Sequence, residues 1–66
     1  MRQLRVIFQN HHYQAAVLRG ESLIVSRQGK QGGKHLVGAA AREWIDAIET
    51  AIDRDEASAL CRAILA

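Results

Sequence analysis

The stretch Ala15–Arg27, AAVLRGESLIVSR, sets the fold, because two apolar runs meet across the four residues RGES. A glycine at the first central position of a two-residue turn is the signature of a type II′ hairpin. Read that way, Gly20 and Glu21 form the turn, and Arg19 pairs with Ser22, Leu18 with Leu23 and Ala16 with Val25. Side chains alternate across a strand, so this register gathers Ala16, Leu18, Leu23 and Val25 on one face.

Upstream, Gln3–Gln9 and Tyr13–Arg19 have the β-branched and aromatic content of strands, and Ser22–Arg27 is the third. A two-residue turn at Asn10 and His11 would set Arg5 beside Ala16. A three-residue turn, Asn10, His11 and His12, sets Leu4, Val6 and Phe8 on the apolar face instead, and is the better reading. The expected core face is Leu4, Val6, Phe8, Ala16, Leu18, Leu23 and Val25. The opposite face is then Arg5, Ile7, Gln9, Tyr13, Ala15, Val17, Arg19 and Ile24.

Downstream the period lengthens. Ala41, Trp44, Ile45, Ile48, Ala51 and Ile52 recur at three and four, with Arg42, Glu43, Asp46, Glu49 and Asp53 opposite them. That is an amphipathic helix starting near Gly38 without a side-chain cap. A second apolar stripe, Ala57, Leu60, Cys61, Ile64 and Leu65, lies about 150° around from the first on a continuous helix, so one straight helix cannot bury both. The break falls at DRDE, where Asp53 can cap a new helix and Glu56 complete a capping box. The predicted fold is α+β: a three-stranded antiparallel β-meander followed by two α-helices on one face of the sheet, one domain over residues 1–66. The small residues Ala16, Ala40 and Ala41 are expected to let the layers approach closely.

A chain of 66 residues buries only about 60% of the surface its unfolded state exposes, and a dimer would add burial. No apolar run nears the roughly 18 residues of a membrane span. Met1–Phe8 is too short and too interrupted by charge for a signal peptide. The single cysteine, Cys61, suits a reducing compartment, so a cytoplasmic protein is expected. Charge is unevenly spread: residues 1–35 carry six Lys or Arg against one acid, net +5, and residues 36–66 carry three against six, net −3. Such polarity fits an anionic partner at the front, or opposite surfaces that attract between subunits.

The stretch RQGKQGGKH, Arg27–His35, is the one that invites a phosphate. The phosphate-loop pattern G-x-x-x-x-G-K-[ST] fails twice, because Gln28 stands five before Gly33 and His35 replaces the hydroxyl that would hold magnesium. A nucleotide hydrolase is excluded on that pattern. A looser use remains, in which Arg27, Lys30, Lys34 and His35 and glycine-freed N–H groups hold nucleic-acid phosphates. The plainer reading is a solvated strand-to-helix connection. The stretch GKHLVGAAAREW resembles, over less than a third of the chain, the lysine-then-alanine helix opening of double-stranded-RNA-binding domains. That resemblance implies a phosphate grip by Lys34, with His35 beside it. The family's preceding helix is missing and an extra helix follows, so membership is not implied.

The remaining motifs read as structure. His11 and His12 adjoin in a turn, and with His35 and Cys61 they offer no standard zinc spacing, so no metal is expected. Cys61 lies in an apolar stripe and reads as a buried small hydrophobe. No histidine has an evident nucleophile or carboxylate partner, and little room exists for a substrate pocket. No catalysis, cofactor or small-molecule substrate is expected. The leading expectation is a non-catalytic, homodimeric interaction module of regulator, adaptor or inhibitor type. It would bind a protein through the open sheet face, with Ile7, Tyr13, Val17 and Ile24 as anchors and Arg5 and Arg19 as rim. The alternative is a nucleic-acid-binding protein that uses the basic loop.

Overall fold

Four antiparallel strands, not three, make the sheet, in the order β1 (Leu4–Gln9), β2 (Tyr13–Leu18), β3 (Ser22–Arg27) and β4 (Lys34–Val37). Two helices follow, α1 (Gly38–Glu49) and α2 (Arg54–Leu65). This computed structural model describes residues 4–19, 21–30 and 32–66. The α+β class, the meander order and the two helices packed on one sheet face agree with the sequence reading. The added strand β4 corrects it, because Lys34–Val37 pairs with Val25–Ser22 before α1 begins.

The register of both hairpins differs from expectation, for local reasons. At the first, the Asn10 Oδ1 accepts from the N–H groups of His12 and Tyr13 at 2.9 and 2.8 Å, and the Asn10 N–H donates to the Tyr13 carbonyl at 3.0 Å. This side-chain-stabilised turn leaves only His11 and His12 at the tip. Gln9 therefore faces Gln14 and Phe8 faces Ala15, whereas Leu4 faces Leu18 and Val6 faces Ala16. A β-bulge between Val6 and Phe8 absorbs Ile7 as the extra residue and reconciles the two registers.

At the second hairpin Leu18 faces Ser22, so residues 19–21 lie between the paired ends rather than two residues. Arg19 adopts the left-handed conformation, with φ at 57°, and the Glu21 N–H donates to the Leu18 carbonyl. Gly20, on which the expected turn rested, lies outside the described residues. The extra residue slips β2 by one against β3, pairing Val17 with Leu23 and Ala15 with Val25. Every β2 side chain thereby changes face.

The core consequently contains Phe8, Ala15, Val17, Leu23 and Val25 from the sheet, packed against Ala41, Ile48, Ala57, Cys61 and Ile64 from the helices. Leu23, Val25 and Phe8 are where the sequence places them. Leu4, Val6, Ala16 and Leu18 lie on the other side, and Ala15, not Ala16, lets the helices approach. Helix α1 rests on β1, β3 and β4, and α2 on β2 and β3. Ile52, expected in the first stripe, is exposed in the connection.

Helix α1 starts without a side-chain cap and ends where the Thr50 hydroxyl and N–H both donate to the Asp46 carbonyl, at 2.7 and 3.0 Å. Helix α2 has the expected cap: the Asp53 carboxylate accepts from the Glu56 N–H at 2.9 Å. The return bond of the box is displaced by one residue, with the Glu56 carboxylate accepting from the Ile52 N–H at 3.3 Å.

Candidate functional site

Since both helices cover one side, the other side of the sheet is open, and its cross-strand rows follow from the register. One row is Leu4, Leu18, Ser22 and Val37; the next is Val6, Ala16, Ile24 and His35. Further along, Gln9, Gln14 and Ser26 face the same way. Leu4, Val6 and Val37 are 56%, 46% and 64% exposed, and Ile24 and Leu18 are half-buried. Between them Ala16 is only 4% exposed, a small residue covered by the larger side chains around it. No Lys, Arg, Asp or Glu belongs to these rows.

Of the six partner-binding residues expected on this face, only Ile24 is there. Val17 is 3% exposed beneath the helices, and Arg5, which pairs with it, points the same way and meets the Glu49 carboxylate at 3.3 Å. Ile7 sits in the bulge and Tyr13 beside the turn, both packed against the core. Arg19 is exposed in its turn. The slip at residues 19–21 accounts for Val17 and, through the correct pairing of Leu4–Val6 with β2, for Arg5 as well. Leu4, Val6, Leu18 and Val37 take their place. The glycine pair before HLV was the available sign of another hairpin and strand.

The stretch RQGKQGGKH is a β3–β4 hairpin connection rather than a strand-to-helix loop. The Lys30 N–H donates to the Arg27 carbonyl at 3.2 Å, and the Gln28 N–H to the His12 carbonyl at 3.0 Å. Arg27 and Lys30 line a shallow depression with Gly32, Gly33 and Leu65 at the end of α2. Lys34 pairs with Val25 and so lies on the helix side, whereas His35 is on the open face. The four residues therefore do not form one cluster, and Lys34 and His35 belong to a strand rather than to a helix start. Arg27 and Lys30 thus share a depression with the last residue of α2, the end of the helix that carries partial negative charge.

A second depression brings His12, Tyr13, Asp55, Ser58, Ala59 and Arg62 together beside α2. No side-chain hydrogen bond links them among the described residues. No group of three His, Cys, Asp or Glu residues capable of holding a metal occurs among the described residues. Cys61 is fully buried, and loss of solvent pushes its thiol up from the ordinary 9.0. No helix among the described residues is long and apolar enough to cross a membrane. Compared with known proteins, the chain matches no family model, no curated protein and no solved structure.

Proposed function

We propose that this chain is a non-catalytic protein-interaction module, of regulator, adaptor or inhibitor type, that binds through the open face of its sheet. One observation carries the reading: on a side of the sheet that no described element covers, Leu4, Val6 and Val37 are about half exposed or more, and Leu18 and Ile24 complete a contiguous patch with no charge in it among the described residues. Isolated apolar residues on a surface are ordinary, whereas a contiguous patch rimmed by Gln and Ser has the make-up of an interface core and its border. The anchors are Leu4, Val6, Leu18, Ile24 and Val37, with Gln9, Gln14, Ser22 and Ser26 as the polar surround.

The test is affinity capture from extracts of the cells that make the protein, comparing wild type with Val6→Asp and with Lys30→Glu/Lys34→Glu. Val6 is outside the buried core, so the Asp variant keeps the fold, checked by circular dichroism. The proposal expects proteins that wild type and the Glu variant retain and the Asp variant loses. Retention of the same proteins by all three forms would overturn it.

The alternative reading, nucleic-acid binding by the basic loop, is favoured by Arg27 and Lys30 sharing one depression to which no carboxylate side chain contributes. It expects binding to short duplexes that weakens steeply with salt and disappears in Lys30→Glu/Lys34→Glu.

A further inference from the structure

We infer that the occupant of the open face is a second copy of this chain, packed sheet against sheet in a reversible dimer with the helices outside. The inference rests on the interaction-module reading and names the partner. Three features of the face point to it.

The first is charge. A surface that docks against its own copy meets every group it carries, so a fixed charge near the axis faces its twin. The rows Leu4–Leu18–Ser22–Val37 and Val6–Ala16–Ile24–His35 hold no carboxylate, lysine or arginine. The outward side of the helices is the contrary case, with Arg42, Glu43, Asp46, Asp55 and Glu56 all exposed. Among the described residues, the open face is the one surface that can be buried against itself without stranding ionised groups.

The second is relief. Ala16 is nearly inaccessible at the middle of its row, while Val6 and Leu4 stand out on β1 and Val37 stands out on β4. A two-fold axis near Ala16 sets the protruding edge-strand side chains of one copy over the small middle residue of the other, and side chains of two inner faces interdigitate in that manner when sheets stack about 10 Å apart.

The third is size. Four strands about 4.8 Å apart and six residues of about 3.3 Å rise give a footprint of roughly 400 Å². Two such faces remove roughly 800 Å² from water, in the range of weak, transient association. The dimer is therefore weak, with half-association at roughly 10–500 μM, and its face remains available at low concentration.

The test is sedimentation equilibrium from about 5 μM to 1 mM, paired with amide chemical shifts followed on dilution. The expected result is a mass that rises from one chain to two, with shifts concentrated at Leu4, Val6, Ala16, Leu18 and Ile24. Val6→Asp should raise the dissociation constant at least about tenfold. Val37→Lys, at the most exposed of these positions, should do likewise if the first variant folds poorly. Lys30→Glu should leave it unchanged. A protein that remains a single chain at 1 mM overturns the inference but not the interaction-module reading, which the capture experiment decides separately. A dimer insensitive to both face variants, or one whose shifts are confined to the β4 backbone, overturns it too, because the copies would then meet elsewhere.

Discussion

An added Cβ at Gly33 would overlap the Val25 carbonyl oxygen and come within 2.9 Å of the Ser26 Cβ, at a φ of 147° that side chains rarely adopt. Gly29, in the same connection, has a φ of 77° and open space around it. The two positions separate crowding from backbone strain. Gly29→Ala should cost about 1 kcal/mol for the left-handed conformation alone, and Gly33→Ala about 2–3 kcal/mol, because β3 must also give way. Urea denaturation of both variants checks this, and equal costs would mean that the connection does not close onto β3. Arg19 makes a related point. Its φ of 57° puts an arginine where turn rules expect glycine or asparagine, and the sequence gives no sign of it.

At the scale of elements, β1 and β4 are the two edges of the sheet, and they are not equivalent. The bulge interrupts β1, and Arg54 of α2 reaches across to donate to the Gln9 carbonyl while its guanidinium lies 5.3 Å from the centre of the Phe8 ring. Edges left unpaired invite strand addition, and a bulge and a neighbouring cation are both known deterrents. Arg54→Ala should lower stability by about 1 kcal/mol through the cation–π contact and the hydrogen bond, seen as a shifted urea midpoint. It should also speed amide exchange at the end of β1 and leave β4 unaffected. Identical exchange in both proteins would remove the tie from the account.

For the whole molecule, the helical stripes, the Asp53 cap and the α+β class were legible because each rests on local periodicity or a short motif. The facing of the sheet was not, because it depends on whether two or three residues separate paired ends, and one residue exchanges the two sides. The Asn10 turn, the Arg19 turn and the bulge each contribute such a residue. Strand β4 was hidden behind glycines that read equally well as a loop. The uneven charge takes on a structural meaning: the sheet layer is basic and the helical layer acidic, and Arg5 with Glu49 joins the two. That exposed pair contributes little by itself.

Stability also has a pH dependence that belongs to the whole fold. Burial raises the Cys61 thiol above 9.0, so the folded state favours the neutral form. The unfolded chain ionises at the ordinary value, and the stability tied to the neutral thiol is therefore complete below about pH 9 and is lost as pH rises toward the folded value. The urea midpoint should fall above pH 9 more steeply in wild type than in Cys61→Ala, and parallel profiles would contradict this.

The extra residue at Ile7 also bears on how this chain tolerates change in length. On either side of it the strand keeps its own alternation, with Leu4 and Val6 outward and Phe8 inward. Removing Ile7 joins those halves into an unbroken alternation in which no neighbour changes sides. Losing a residue from the middle of β2, between Ala15 and Val17, would instead move one end of that strand between the core and the open face. Within the strands, loss of a single residue should thus be tolerated better at Ile7 than at Ala16.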